Sequence, residues 1–529
     1  MHGHGAEIFE LVIAMFLAII VLHYVARRLM LPPAVALLAG GSAMALLPGM
    51  PAVSIDPELV LVIFLPPLLM DGAWMTAIAP FRRHLIGILS LAVGAVIFTT
   101  LVVAFAAHLL LPQLPWWACV ALGAIVSPPD AVSARAVLQS VRLPRRVMTL
   151  LEGESLLNDA TGLVLFRFAV AATLTGAFSA GEAAASFAIL ALGGAVVGAA
   201  VAGIWMLLVR RLDEDDLVIA SSVLICWTAY LSAEMVHVSG VIATVTAGLV
   251  AGWYQHVVLN ASRRIRGSSF WDVMVFLMEA AVFILIGFSL RGVLERVGGW
   301  EVVWNQMAWP AGMIILAMTL ARFVWLFASD AVILAAKRTG LTDKSPLGPR
   351  ASTVIGWAGM RGVVTLAVAL SLPEAMPGRD FMMVTAFAVI LVTVLVQGTT
   401  LGLVIRWLGV SDHADARPRM TMSDAECAIG QAQLKVVERM AYDVEGQLIH
   451  PQLLNTYQRR AAISERYVGR ETEMAPNLQA HYAVVRAAIA AGRAELVRLH
   501  RAGEIDDETL HELEHDLDLE ELGAIAAAN

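Results

Sequence analysis

Long runs of apolar residues fill most of the first 410 residues of this chain and constrain its fold more than any other feature. Many runs reach roughly 18 or more residues, the length that a helix needs to cross the hydrocarbon core of a bilayer. Of the 529 residues, 59% are hydrophobic and only 15% are charged, whereas a soluble domain carries about 25% charged residues. The runs predict an all-α polytopic membrane protein rather than a string of soluble domains.

Thirteen apolar segments can be distinguished, and some of them require tilt or extension beyond the bilayer. The second segment is short and starts with Leu31-Pro32-Pro33. No basic stretch precedes the first segment, so we expect no cleaved signal peptide. We expect about 13 transmembrane helices, over residues 6–26, 31–48, 57–78, 85–111, 116–138, 147–175, 183–209, 216–235, 238–257, 269–291, 302–335, 351–371 and 381–408.

Lysine and arginine residues between the predicted helices fall in alternate loops, which the positive-inside rule places in the cytoplasm. The opposite loops contain only Arg291, Arg296 and Arg379, each near an acidic residue. We therefore expect the N-terminus outside and the C-terminus in the cytoplasm. The basic loops contain Arg27, Arg28, Arg82, Arg83, Arg142, Arg145, Arg146, Arg210, Arg211, Arg263, Arg264, Arg266, Lys337, Arg338, Lys344 and Arg350.

The composition changes after Arg406, where a tail rich in Ala, Glu, Arg and Leu begins. We expect a transmembrane domain at residues 1–410 and a cytoplasmic helical region at 411–529, with helical runs near 426–442 and 479–502. An acidic stretch after Gly503 is typical of a helix stop followed by a new start. A regulatory tail and a solvated appendage without a ligand both fit this pattern.

Few ionisable residues lie near the centres of the apolar segments. Each costs at least about 2.5 kcal/mol at mid-bilayer, so each is a candidate functional residue. Asp71, Arg167 and Glu279 also fit a position near an interface or in a structural pair. The candidates are Asp71, Asp130, Glu154, Asp159, Arg167, Glu279, Arg322 and Arg361.

The fifth segment contains Ser127-Pro128-Pro129-Asp130 near its middle. Two consecutive prolines lack their N–H groups and clash with the preceding turn, so they should interrupt a regular helix. The helix is expected to resume at Asp130, which can cap its second half. Broken helices at mid-membrane are how secondary transporters build ion sites. A simple proline kink capped by Asp130 is the alternative.

The sixth segment places Ser155 and Asp159 four residues apart, on one face of a helix. Their hard oxygen atoms suit a small hard cation such as a transported Na⁺. A single carboxylate can hold Na⁺ or H⁺ but not both well, which is the minimum chemistry of an exchanger. Glu154 and Asn158 share the neighbouring face. A packing network that only satisfies buried polar groups is the alternative.

The twelfth segment is weakened by Gly356, Gly359 and Gly362, which flank the basic residue Arg361. The fifth and twelfth segments occupy matching places if segments one to six and eight to thirteen form two halves. Interrupted helices at matching places are the best sequence indication of a transporter site. In this interpretation Asp130 and Arg361 offset the partial charges of the half-helix ends.

Arg322 lies inside the eleventh segment and needs a carboxylate partner if it is buried there. Glu154 is the first choice and Asp159 the second. Because the segment is long, snorkelling of the side chain to the interface is the alternative.

With these residues in view, residues 10 to 410 resemble the monovalent cation:proton antiporter-1 family, bacterial sodium/proton antiporter type. The strongest motif is Gly153-Glu154-Ser155-Leu156-Leu157-Asn158-Asp159, which looks like the Asn-Asp signature of that family. The order and spacing of the motifs make the match specific. The other similar strings are Ser127-Pro128-Pro129-Asp130, Phe64-Leu65-Pro66-Pro67-Leu68-Leu69, Gly359-Met360-Arg361-Gly362 and, in the tail, Leu499-His500-Arg501-Ala502-Gly503-Glu504-Ile505-Asp506.

The resemblance implies an inverted-repeat sodium/proton antiporter fold with two discontinuous crossing helices, in the bacterial inner membrane. It implies a homodimer in which a core domain moves beside a dimerisation domain by an elevator motion. It also implies that Asp159 is the carboxylate shared by Na⁺ and H⁺, with Asn158 and Ser155 nearby. A Glu154–Arg322 ion pair would steady the core. Asn158 implies electroneutral exchange of one Na⁺ per H⁺.

The chain departs from the family pattern at Asp71, where many relatives have Glu. The shorter side chain leaves it open whether Asp71, an accessory residue, contacts the ion.

Three other functions remain to be weighed against Na⁺/H⁺ exchange. K⁺/H⁺ exchange, or use of Li⁺, requires the same oxygen ligands. A cation channel could use Asp130 and Asp159, although no filter-like loop is evident. An intramembrane enzyme could use the same carboxylates, but no nucleophile, metal or nucleotide motif supports it. We expect no enzyme activity, no cofactor and no nucleic-acid partner.

Overall fold

The computed structural model contains helices joined by turns and loops in the residues that it describes, and one isolated antiparallel bridge between Tyr442 and Leu448. The chain divides into two compact units, Met1–His413 and Ala414–Asn529. The described residues are 2–29, 31–46, 57–130, 143–176, 179–410, 421–443, 445–468, 471–502 and 504–528.

The first unit is a bundle of apolar helices. Its described helices are α1 (His2–Arg28), α2 (Pro33–Ala45), α3 (Pro57–Met75), α4 (Ile78–Leu110), α5 (Trp116–Val126), α6 (Arg145–Thr175), α7 (Ala180–Val209), α8 (Asp215–Met235), α9 (Gly240–Val258), α10 (Ala261–Val297), α11 (Trp300–Arg338), α12 (Pro349–Trp357), α13 (Val363–Leu370) and α14 (Arg379–Leu408).

Each predicted apolar segment overlaps at least one of these helices. Eight of the described helices are long and apolar enough to cross a membrane, judged by length and composition, and α2, α3 and α5 are shorter apolar helices. The second half of the fifth segment, from residue 131, lies outside the described residues. The number of crossings and the inverted repeat stay predictions.

The outer surface of the first unit carries large apolar side chains. On α7, Ile189, Leu192 and Val196 are 65%, 69% and 69% exposed and follow one face of the helix. In water, an apolar face of this kind would be an aggregation hazard. In a bilayer it contacts lipid, as the composition of the chain predicts.

Three long helices contain a π-helical turn, at Ser90–Ala95 in α4, Val303–Met307 in α11 and Thr393–Gln397 in α14. A π turn inserts one extra residue into an α-helix and often lies at a functional site.

The predicted interruption of the twelfth segment occurs in the structure, and the first helix of the fifth segment ends where an interruption is predicted. Helix α5 ends at Val126, just before Ser127-Pro128-Pro129, and α12 and α13 are separated by residues 358–362. The helix expected to resume after Asp130 lies outside the described residues. The general rule used for the prolines is nevertheless wrong for Pro66 and Pro67, because α3 continues through both of them.

The contact that replaces the missing hydrogen bond in α3 comes from another helix. Pro66 has no N–H to donate to the carbonyl of Val62, four residues earlier. The indole Nε1 of Trp227 in α8 donates to that carbonyl instead, at 2.9 Å. Neighbouring helices commonly satisfy the carbonyls that proline leaves free in membrane helices.

Helices α2 and α10 approach each other through glycine. A Cβ atom at Gly41 would lie 2.8 Å from the carbonyl oxygen of Ile284, and one at Gly287 would lie 2.5 Å from the carbonyl carbon of Gly41. Real Cβ atoms do not come this close to backbone, so the packing of the two helices requires glycine at both positions.

The second unit contains two pairs of antiparallel helices. A capping box opens its first helix, where Thr421 and Asp424 exchange hydrogen bonds with each other's backbone. In the last two helices Arg493 binds Asp518 and Glu521, each at 2.6 Å. The helices are α15 (Met422–Met440), α16 (Pro451–Tyr467), α17 (Glu471–Arg501) and α18 (Asp507–Ala528).

Candidate functional site

The two helix interruptions meet inside the first unit. The backbone N–H of Asp130 donates to the carbonyl of Met360 at 2.7 Å. The carboxylate of Asp130 lies against Gly362, where a Cβ atom would overlap its Oδ2. The chain after α5 is therefore joined directly to the chain between α12 and α13.

Arg361 carries the positive charge at this crossing and is only 1% exposed. Its Nε donates to the carbonyl of Val126 at 2.8 Å and its Nη2 to that of Ser127 at 3.0 Å. Its Nη1 donates to the carbonyl of Gly359. The last carbonyls of a helix lack intrahelical partners and carry partial negative charge. Arg361 thus satisfies the end of α5 from the opposite interruption.

Two hydroxyl groups reinforce the crossing. Ser127 donates to the carbonyl of Gly123 at 2.6 Å and accepts from Thr100 of α4 at 3.0 Å. The backbone N–H of Arg361 donates to the hydroxyl of Thr393, at the π turn of α14, at 3.1 Å. The crossing is therefore held by helices on both sides of it.

Asn158 ties α6 to the same place. Its fully buried amide donates from Nδ2 to the carbonyl of Pro129 at 2.5 Å. Its Oδ1 has no hydrogen-bond partner among the described residues. Since a buried polar atom without a partner is unfavourable, an ion or water near Oδ1 would be stabilised.

A cavity of about 50 Å³ lies beside the crossing. Asp130, Glu152, Ser155 and Asp159 line it, together with apolar residues of α3 and α13 such as Leu69. About 10–15 Å³ of such space is enough for one water molecule, so the cavity has room for a small cation together with water. Asp159 is 8% exposed. The lining oxygens are hard ligands, which suit Na⁺ or H⁺.

Glu154 points away from this cavity and pairs with Arg322. The guanidinium contacts both carboxylate oxygens, at 2.6 and 2.8 Å, and its Nε also donates to the carbonyl of Ile355 at 3.3 Å. Both partners are buried, at 1% and 3% exposure. Arg322 is therefore paired with Glu154, its preferred partner in the sequence analysis. This ion pair and the bond to Ile355 join α6, α11 and the end of α12.

The remaining sequence candidates lie elsewhere. Asp71 is buried and lines a second cavity, of about 60 Å³, together with Trp74, Trp205 and Arg263. Arg167 is half exposed and its Nη2 lies 3.7 Å from Glu234. Glu279 is partly exposed on α10. The structure therefore does not place Asp71 on the cavity that Asp159 lines.

Two residues of the site were missed from the sequence. Glu152 lines the cavity from one turn before Ser155, and its spacing to Asp159 of seven residues could have revealed it, because residues seven apart share a helix face. The sequence around Thr393 has no feature that indicates a role, since that role depends on a contact with Arg361, 32 positions away.

The described residues contain no group of three or more His, Cys, Asp or Glu side chains arranged to hold a resident metal ion. The cavity instead offers the three carboxylates of Asp130, Glu152 and Asp159 and the hydroxyl of Ser155, and the amide oxygen of the neighbouring residue Asn158 has no partner among the described residues. Such a set suits a cation that binds and leaves.

Apolar helices, two interruptions joined at mid-bundle and a buried carboxylate cavity define a multi-pass membrane transporter. Residues 12–407 match the family model described as "Sodium/hydrogen exchanger, transmembrane". The chain belongs to the sodium/hydrogen exchanger family, and the resemblance to the cation:proton antiporter-1 family is confirmed.

Relatives match along the whole chain. An uncharacterized Na⁺/H⁺ exchanger of Mycobacterium tuberculosis (strain H37Rv) is 30% identical over 543 aligned positions, which cover 100% of this chain and 98% of the relative. One of Escherichia coli K12 is 33% identical, over 88% of this chain and 89% of the relative. The sodium, potassium, lithium and rubidium/H⁺ antiporter of Bacillus subtilis is 32% identical, over 66% of this chain and 54% of the relative.

The fold is similar to a solved structure. The sodium proton antiporter MjNhaP1 from Methanocaldococcus jannaschii superposes with a TM-score of 0.60 and 22% identity, over 76% of this chain and 100% of that one. At this identity the similarity shows the fold alone.

Proposed function

We propose that this protein exchanges Na⁺ for H⁺ across the bacterial cytoplasmic membrane, and that the two ions compete for the carboxylate of Asp159. The observation that carries the proposal is the cavity that Asp159, Ser155 and Asp130 line, beside two interrupted helices joined to each other. Backbone of this kind is tolerated at membrane depth where it lines a cavity or is buried in protein.

In this mechanism Asp159 and Ser155 ligate the cation, and Asp130 contributes negative charge from the opposite wall. Asn158 orients the site through its bond to Pro129 and offers Oδ1 as a further acceptor. A proton on Asp159 removes the charge that holds the cation, so loading of one ion releases the other. Arg361 and the Glu154–Arg322 pair keep the surrounding helices in place.

The exchange is proposed to be electroneutral, with one Na⁺ per H⁺. Asn158 stands where a second ionised carboxylate would add charge to the transported state, and the resemblance associates this asparagine with neutral exchange. Alternating access by an elevator motion of a core domain within a homodimer is proposed on the same ground.

The cation range is proposed to extend to Li⁺ and K⁺. Carboxylate and hydroxyl oxygens coordinate each of these ions, and the Bacillus subtilis relative carries sodium, potassium, lithium and rubidium in its name. K⁺/H⁺ exchange is therefore the second candidate function, with the same residues in the same roles. Thirteen crossings, an outside N-terminus and a cytoplasmic tail complete the proposal.

Purified protein in liposomes with an internal pH dye tests the proposal. Acid-loaded vesicles receive Na⁺, Li⁺ or K⁺ outside, and proton efflux is followed for wild type, Asp159→Asn and Asp272→Asn. Asp272 is an exposed aspartate on α10 and serves as the matched control. We expect cation-dependent efflux that disappears in Asp159→Asn and persists in Asp272→Asn.

Normal exchange by folded Asp159→Asn would overturn the mechanism. Cation currents that correspond to far more ions per second than an exchanger can transport would favour a channel. If K⁺ drives efflux and Na⁺ does not, the second candidate function replaces the first.

A further inference from the structure

Thr393 connects an outer helix to the second interruption. It is fully buried at the first position of the π turn in α14. Its hydroxyl accepts from the backbone N–H of Arg361 at 3.1 Å and donates to the carbonyl of Val389 at 2.7 Å. Both hydrogen-bonding capacities of the hydroxyl are therefore used, one within its own helix and one on the irregular chain.

The residue that Thr393 holds is the one that joins the two interruptions. Through its side chain Arg361 binds the carbonyls of Val126 and Ser127 at the end of α5. The next residue, Gly362, lies against the carboxylate of Asp130. A displacement of the Arg361 backbone would therefore move the wall of the cavity that contains Asp130.

We propose that Thr393 is a positioning residue for ion exchange, which fixes the Arg361 backbone and thereby the placement of Asp130 opposite Asp159. This inference rests on the proposed function. Thr393 does not line the cavity and acts through Arg361. In this proposal the π turn of α14 presents the Thr393 hydroxyl to the irregular chain at Arg361.

A second buried threonine on α14 provides a control that distinguishes the effect of losing the hydroxyl from the effect of a change in packing. Thr385 is also fully buried, and its Oγ1 has no hydrogen-bond partner among the described residues. Valine matches threonine in shape but lacks the hydroxyl. Removing the hydroxyl at Thr393 leaves the buried N–H of Arg361 without its acceptor. Removing the hydroxyl at Thr385 leaves no described group without a partner.

The experiment compares Thr393→Val, Thr393→Ser and Thr385→Val in the liposome assay over a range of Na⁺ concentrations. We expect Thr393→Val to lower kcat/KM for Na⁺ roughly tenfold, mainly through a higher KM, because an unsatisfied buried N–H is costly and the cavity wall shifts. Thr393→Ser keeps the acceptor and should stay within about twofold of wild type, as should Thr385→Val.

Equal loss in Thr393→Val and Thr385→Val would overturn the proposal, as would a Thr393→Ser variant as impaired as Thr393→Val. A lower melting temperature with unchanged KM would reduce Thr393 to a structural residue. Hydrogen exchange of the Arg361 amide is measured in wild type, Thr393→Ser and Thr393→Val. Slow exchange in the first two and faster exchange in Thr393→Val are expected, and equally slow exchange in all three would refute the contact.

The same measurement separates the two proposals. If wild type shows no exchange with any cation, the proposed function fails. Hydrogen exchange of the Arg361 amide would then still show whether Thr393 fixes the backbone at Arg361.

Discussion

Arg322 contacts both carboxylate oxygens of Glu154, at 2.6 and 2.8 Å, in a part of the protein that leaves the two side chains 3% and 1% exposed. Such a two-point contact between a planar guanidinium and a carboxylate fixes orientation as well as distance. It links α6, which carries Asp159, to α11.

Glu154→Gln should lower stability sharply. The substitution leaves the charge of Arg322 buried without its partner, which typically costs about 3–5 kcal/mol. The melting temperature of the detergent-purified protein is the measurement. The double variant Glu154→Gln with Arg322→Met should recover much of the loss, because it removes the stranded charge.

Glu295→Gln is the matched control, since the Glu295 side chain is 55% exposed and pairs with Arg291 at 2.7 Å near the end of α10. Exposed pairs are worth about 0–1 kcal/mol, so its melting temperature should barely change. Equal melting temperatures for wild type and Glu154→Gln would count against the structural role of the buried pair.

Gly362→Ala should impair exchange by at least about tenfold, because overpacking of this kind costs roughly 1–3 kcal/mol or is relieved by moving Asp130. The added Cβ would overlap Asp130 Oδ2. Proton efflux in liposomes is the measurement. Gly402→Ala on α14 meets nothing within 4 Å and should behave as wild type. A fully active Gly362→Ala protein would contradict the described contact between the interruptions.

The capping box of α15 should depend on pH. Hydrogen bonds from the backbone and then the side chain of Thr421 lower the pKa of Asp424. A lowered pKa means that the folded state favours the carboxylate, so the stabilisation is present near neutral pH and is lost as pH falls through that lowered value. Hydrogen exchange of the first-turn amides, corrected for intrinsic rates, should be faster in Asp424→Asn than in wild type at pH 7.

As the pH falls below the ordinary pKa of an aspartate, about 3.9, the difference between the two proteins should shrink, because the wild-type carboxyl becomes protonated as the pH passes through its lowered pKa. A difference that persists unchanged at low pH would show that the charge of Asp424 is not what stabilises the cap.

Cys427 should report the side of the membrane on which the tail lies. Cys119 and Cys226 are buried, whereas Cys427 on α15 is partly exposed. A membrane-impermeant maleimide should label wild type in inside-out vesicles but not in intact cells. Cys427→Ser should abolish that labelling. Labelling of intact cells would place the tail outside and reverse the proposed orientation.

The sequence predicted those parts of the site that local chemistry determines. Pro128 and Pro129 end α5, and the glycines around Arg361 separate α12 from α13. Arg322 required a carboxylate, and Glu154 provides it. In each case the constraint belongs to one residue type, either the backbone conformation of proline and glycine or the need of a buried charge for a partner. No knowledge of distant contacts was needed.

The parts that the sequence did not predict depend on contacts between distant segments. Residues 57–78 were predicted as one segment, but the contact that allows α3 to continue through Pro66 and Pro67 was not, because Trp227 of another helix donates to the carbonyl that Pro66 leaves free. The sequence left open whether Asp71 contacts the ion, and the fold places it on another cavity. Thr393 lies in an ordinary apolar run, and only the fold brings it to Arg361.

The glycine contact between α2 and α10 also determines how motion in this protein can be observed. Sliding of one helix along the other would bring side chains one turn away on the same face, such as Ala45 of α2 or Phe283 of α10, toward backbone that now meets only glycine. The close approach therefore resists sliding between the two helices. If the proposed elevator motion occurs, spectroscopic labels on α2 and α10 should keep a constant separation, and a displacement of α6 can be measured relative to that pair.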